Sequence, residues 1–139
     1  MSSSEQQRIK DRKLFDAADA LAYAVWNGQT TAVAAAVTTM RTLVDDGANV
    51  NNTVEGHDYT LVFMAAENGG GYTEVVRVLA ELGANIETPD NDGHTPVWIA
   101  AHEGNVEVVR VLGELGADLN TPDIEGDTPI HIASAWGHA

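Results

Sequence analysis

The chain has 139 residues, 7 Lys+Arg against 21 Asp+Glu, 13 Gly, 4 Pro and no Cys, a size and composition that suit one compact domain. A formal net charge of -14 excludes the broad cationic surface needed for non-specific binding to phosphate backbones or anionic lipid, so no nucleic acid and no membrane is expected among the partners. The missing cysteines exclude disulfides, a thiol nucleophile and Cys-ligated metal centres.

The opening, M-S-S-S-E-Q-Q-R-I-K-D-R-K, holds four of the seven basic residues, Arg8, Lys10, Arg12 and Lys13, with no apolar stretch behind it of the kind a signal peptide carries. Residues 1–13 read as a flexible basic arm, and the chain as a soluble cytoplasmic protein. From Leu14 helical spacing takes over. Leu14, Ala18, Leu21 and Val25 share one face of a helix ending at Gly28, and Val33, Val37, Met40 and Val44 mark a long second helix ending at Gly47. A third helix follows Thr60 in L-V-F-M-A-A-E-N, and Gly69, Gly70 and Gly71 then read as a flexible loop before E-V-V-R-V-L at Glu74. Thr95 and Pro96 form a hydroxyl cap and first-turn proline for P-V-W-I-A-A-H-E-G. The helix after Gly104 draws its apolar stripe from Val106, Val109 and Leu112, with part of Val108 and Leu115, and closes at Gly116. Thr128 and Pro129 begin one more helix, on which the sequence ends.

Self-similarity organises these elements. Pro89 and Pro122 both stand in T-P-D, Pro96 and Pro129 both follow threonine at a helix start, and each pair is separated by the same 33 positions. The stretches E-L-G-A-N-I-E-T-P-D and E-L-G-A-D-L-N-T-P-D repeat at that period too. The units fall at about 14–50, 51–86, 87–119 and a partial 120–139. The first has a second helix longer by about two turns. The second carries a longer turn around V-E-G-H-D-Y and two extra residues at its glycines.

In period, in T-P-V-W-I-A and T-P-I-H-I-A, and in G-A-N-V-N, G-A-N-I-E and G-A-D-L-N, the chain resembles the ankyrin repeat family. The resemblance implies an all-α ankyrin-repeat solenoid of stacked helix-turn-helix units with extended turn and hairpin loops. His131 takes the histidine of the family's T-P-L-H, which ties neighbouring turns by hydrogen bonds, whereas Trp98 and Phe63 replace it in the third and second units. The stretches ending in Asn51 and Asn120 also resemble ankyrin segments accepted by asparaginyl hydroxylases; as turn asparagines both stabilise their loops.

Catalytic and cofactor readings find no pattern. His57, His94, His102, His131 and His138 include no close metal-ligand pair, no G-K-[ST] follows the three glycines, and no nucleophile set is spaced for catalysis. Asp90, Asp92, Asp123, Glu125 and Asp127 recur with the period and read as a solvated acidic edge. No metal, no cofactor and no enzyme activity is therefore expected.

What the resemblance implies instead is a non-catalytic protein–protein interaction scaffold. Its face is formed by the turn tips and first helices: Trp26 and Asn27; His57, Asp58, Tyr59, Glu67 and Asn68; Asn91, Asp92, His94, His102 and Glu103; Ile124, Glu125, Asp127, Ala135 and Trp136. Beyond residue 13 the chain holds 3 basic residues against 19 acidic ones, so the face reads as acidic and its protein partner as basic. The unfinished fourth unit leaves as the alternative a self-associating structural unit, or a fragment of a longer ankyrin array, whose open last repeat packs on another chain.

Overall fold

The computed structural model describes residues 1–129. His131, Ala135, Trp136 and the helix expected to complete the start of the fourth unit lie outside the described residues, and so does the open end proposed for self-association. Among the described residues six helices form: α1 (Ser3–Trp26), α2 (Thr30–Asp45), α3 (Leu61–Asn68), α4 (Tyr72–Glu81), α5 (Pro96–His102) and α6 (Val106–Glu114). Among the described residues extended pairing is limited to an isolated antiparallel bridge, Thr53 to Thr60.

Hydroxyl caps start the short helices where the sequence places them. Thr60 accepts from the Phe63 amide at 3.3 Å and Thr95 from the Trp98 amide at the same distance, each satisfying a donor the helix itself leaves open. Both helices are too short to persist alone. Leu61 through Ala66 and Pro96 through Ala101 are buried throughout. Burying each large apolar side chain contributes roughly 1.5–3 kcal/mol, so packing rather than propensity holds α3 and α5 in place.

The layers follow from this. α3 packs on α5 and on α4, α4 on α6, and α5 on α6, giving an inner row of short helices and an outer row of longer ones. Val75, Val76, Leu79, Val97, Val108, Val111 and Leu112 are fully buried between them. The stripe expected on α6 is rotated: Val108, Val111 and Leu112 form its core face, while Val106 and Leu115 are exposed. The face is set by contact with both α5 and α4, and the residues at positions 108, 111 and 112 span that arc.

The first unit breaks the pattern. α1 packs on α2 and, beyond it, chiefly on α4 rather than on the inner helix α3. Leu14, Ala18, Leu21 and Met40 are fully buried there, and the small side chains of Ala17, Ala22 and Ala24 are buried on the same helix. The basic segment expected as a flexible arm is instead the first part of this 24-residue helix. Ser2 caps it by accepting from the Glu5 amide. Gln7 donates to the Gly47 carbonyl at 2.9 Å, and Asp11 accepts from the Asn49 amide at 2.8 Å and from the side chain of Asn52. These partners are some 40 residues away in sequence, so the segment is helical because the second unit's turn holds it.

The three glycines are likewise not a slack loop. Gly71 is buried, and a Cβ there would lie inside the van der Waals shell of the Ala22 carbonyl oxygen. The close approach of α1 to the start of α4 thus requires glycine at this position. Gly113 is the counterexample: it sits within α6, is exposed, and a Cβ added to it meets nothing within 4 Å. In denaturant unfolding, Gly71→Ala is expected to lower stability by about 1–3 kcal/mol. Gly113→Ala is expected to raise it by about 0.5–1 kcal/mol. Equal effects of the two would contradict the packing of α1 on α4.

Candidate protein-binding face

Three turns project beyond the helices, and one aspartate organises each of the last two. Asp90 accepts from the amides of Asp92 and His94 at 3.0 and 2.9 Å, while its own amide donates to the His94 carbonyl. Asp123 does the same with Glu125 and Asp127, both at 2.9 Å. Side chains of this length close such turns by mimicking the backbone. The earlier turn has Val54 in place of that aspartate and closes differently, with the Val54 amide donating to the Tyr59 carbonyl at 2.8 Å. Asp123 is buried and Asp90 half-buried, so these two are not part of a solvated acidic edge. Their carboxylates are used inside the fold.

Adjacent turns are tied together. Asp58 accepts from the Asn91 amide at 3.0 Å, and the Ile124 amide donates to the Asp92 carbonyl at 3.3 Å. His94 lies between two carboxylates, with Nδ1 3.3 Å from Asp90 and Nε2 3.4 Å from Asp123 of the next turn. Asp58 and His94, both expected as contact residues, therefore also fasten one turn to another. Asp90, Asp92 and His94 bring one donor atom each within 4.8 Å. Both Asp90 oxygens already face donors of the turn, so the cluster is accounted for by loop closure.

Below the turns, stacked rings join each turn to its inner helix. His94 stacks on Trp98 at 3.7 Å, and Trp98 on His102 at 5.2 Å; His57 stacks on Tyr59 at 4.6 Å, and Tyr59 on Phe63 at 5.3 Å. Each stack carries a turn down onto its inner helix, with Trp98 and Phe63 buried. Burial first, then the carboxylates of Glu67 and Asp58, push the Tyr59 phenol above its ordinary value. The second stack thus sits in an acidic field.

The remaining expected residues fall into two groups. His57, Asn91, Asp92, Ile124 and Glu125 are exposed at the turn tips, with Ile124 73% accessible, and Asp127 is half-buried beside them. Trp26, Asn27, Glu67, Asn68 and Glu103 are exposed where the inner helices end, next to the half-buried His102. Asn27 donates to the Tyr23 carbonyl and Asn68 to the Met64 carbonyl, so both also close helix ends. Asn105, not among the expected residues, joins this end of the molecule by donating to the carbonyls of Ala66 and Glu67 at 2.8 and 2.9 Å.

The face is not uniformly acidic. A groove of about 560 Å³ separates the first half of α1 from the second unit's turn, and Arg8 and Arg12 line it with Phe15, Val54 and Leu61. Arg12 pairs with Glu55 across the mouth at 3.6 Å. Sequence reading missed these cations because a detached arm leaves no reason to place them beside a turn. On the outer side, Arg110 pairs with Glu107 and with Glu114 of its own helix.

A third feature lies at the far end of α1. Asp19, Tyr23 and Trp26 recur at i, i+4 and i+7 and meet Tyr72 across a cavity floored by the three glycines. The Tyr72 hydroxyl donates to Asp19. Burial, followed by that hydrogen bond and the negative charge beside it, pushes the Tyr72 phenol up to about 12.

The family model of ankyrin repeats, in three copies, matches residues 62–139, more than half of the chain. No curated protein matches it.

Because the Tyr72 phenol is raised in the folded chain above its unfolded value of about 10, the protonated hydroxyl is what folding favours. Its contribution is present in full below pH 10 and is lost as pH rises toward 12. The stability gap between the parent and Tyr72→Phe is expected to shrink across that window in thermal unfolding. A gap that widens from pH 10 to 12 would contradict the Tyr72–Asp19 bond.

Proposed function

The chain belongs to the ankyrin repeat family, whose members are generally protein-interaction modules and non-catalytic, and from that premise we propose that it is a cytoplasmic scaffold binding a protein of basic surface. The binding face in this reading runs from the turn tips along the exposed ends of the inner helices. The observation that carries it is the separation of two kinds of carboxylate. Asp58, Asp90 and Asp123 are occupied with backbone amides, whereas the exposed side chains of Asp92 and Glu125 flank the accessible Ile124 and are not needed to close a turn.

An apolar anchor ringed by unspent charge is the make-up of a contact surface, in which the apolar group supplies affinity and the rim supplies steering. Few cations oppose it. Arg110 is neutralised on the outer helix, and Arg8 and Arg12 lie at one end of the row. The basic partner would meet the turns of the third and fourth units, with the turn of the second unit and α1 bordering the contact. No helix among the described residues is long and apolar enough to cross a membrane.

The test is affinity capture from a native lysate with the parent chain and with a variant carrying Asp92→Ala, Glu125→Ala and Ile124→Ser, whose fold is checked by circular dichroism. A basic protein held by the parent and lost with the variant is the expected result. Its affinity is expected to fall about tenfold or more as salt rises from low to physiological strength, since screening shortens the reach of rim charges. A partner retained by the folded variant, or an affinity insensitive to salt, would overturn the assignment of this face.

A further inference from the structure

The cavity at the end of α1 has a volume of about 340 Å³ and chemistry unlike that of the groove beside Arg8. One wall is the stripe of Asp19, Tyr23 and Trp26 on α1; the other is Tyr72 at the start of α4. Tyr23 and Trp26 are 66% and 78% exposed. Among the described residues no Lys, Arg or His lines the cavity. Large aromatic side chains held open to water beside a carboxylate, with no cation of the chain's own to cover them, call for a particular partner.

An anion is opposed by Asp19, and a purely apolar group would bury that carboxylate without compensation. A cation satisfies both the carboxylate and the negative ring faces. The kind of cation follows from the lining, in which three aromatic rings accompany a single carboxylate. The Asp19 oxygen Oδ1 is taken by Tyr72, and among the described residues nothing engages Oδ2. A guanidinium or a primary ammonium carries three or more N–H donors, which ring faces satisfy poorly. An alkylated ammonium carries few or none, and its methyl groups match ring faces.

We propose that this cavity binds an alkylated ammonium group, such as the head of a methylated lysine, between the rings of Tyr23, Trp26 and Tyr72 with Asp19 as its counter-charge. The close packing that demands glycine at position 71 brings Tyr72 to the stripe on α1. The site is thus a product of the unusual seating of α1 on α4. It lies at the opposite end of α1 from the groove beside Arg8, and its chemistry does not depend on the turn tips.

The full chain is titrated with a short neutral peptide containing trimethyllysine, with the same peptide containing lysine, with a tert-butyl analogue that keeps the shape and lacks the charge, and with choline. Binding is followed by tryptophan fluorescence and by the indole N–H resonances. Saturable binding of trimethyllysine is expected, weaker by about fivefold or more for lysine and for the neutral analogue. Trp26→Ala and Asp19→Asn are expected to weaken it at least as much, with helical content unchanged; Tyr23→Ala serves in place of either variant that fails to fold. Choline binding as tightly as the peptide would support the site with a small-molecule source, and tighter peptide binding would support it with a protein source. No saturation at millimolar trimethyllysine, an equal response to the neutral analogue, or undiminished binding by the folded variants would overturn the proposal. Since no protein partner is used, its failure would leave the turn-tip reading intact, and loss of lysate capture by the Asp92, Glu125 and Ile124 variant leaves this titration unaffected.

Discussion

At the loop that closes each of the first three units, one backbone amide is handed to a side chain more than 30 residues earlier in the chain, and the stack depends on that exchange. The amides of Asn49, Asn85 and Asp118 occupy equivalent places after successive glycines, and they donate to Asp11, Asn51 and Glu87 at 2.8, 2.7 and 3.1 Å. In a solenoid a unit touches only its neighbours, so register must be set locally at every junction. Such bonds contribute about 1 kcal/mol each, little beside the apolar core. Their value is directional: helices slide against one another more easily than an amide changes its acceptor. Asp11 shows how the first junction is made without a preceding turn, since a helical carboxylate takes the place that a turn side chain fills downstream.

The same economy governs the acidic residues. A composition this acidic suggests a charged rim, yet several of the carboxylates at the turns work as surrogate backbone acceptors. Asp90 and Asp123 close loops, Asp58 bridges two of them, and Asp123 is buried in doing so. The surface presented to a partner is consequently smaller in charge than the sequence count implies. It is also more ordered, because the remaining carboxylates are mounted on loops whose shape the internal ones fix. The stacked rings below extend that rigidity into α3 and α5.

Most of the architecture was legible in the residues because its signals are local. Threonine caps, helix-ending glycines and the 33-residue recurrence are read within a few positions, and α3 to α6 form where they point. The seating of α1 was not legible. Alanine-rich helical faces state that a helix is buried but not against which neighbour, and the partners of Gln7 and Asp11 stand some 40 residues away. Charge misled as well: Arg8, Arg12 and Lys13 occupy exposed helix positions, which in a sequence resemble a solvated arm. The turn-tip residues were found by position alone, whereas their division into internal and external carboxylates required the hydrogen bonds. Asp19, Tyr23 and Trp26 carried a readable helical spacing, but Tyr72 joins them only through an insertion whose geometry spacing does not describe.

The reliance of α1 on α4 also bears on the order in which the chain acquires structure. During synthesis α1 and α2 leave the ribosome before α4 and can pair at once, but the surface that completes the burial of α1 does not exist until Glu81 has emerged. The long helix must therefore wait with its small apolar side chains partly open while α3 and the second turn pass by. Domains whose early segments wait in this way are vulnerable to premature association and are natural clients for chaperones that shield nascent chains. A boundary drawn between α3 and α4, though it falls at three glycines that look like a linker, would sever α1 from the second of its two supports. The smallest fragment able to hold the first helix in its native seat extends through α4.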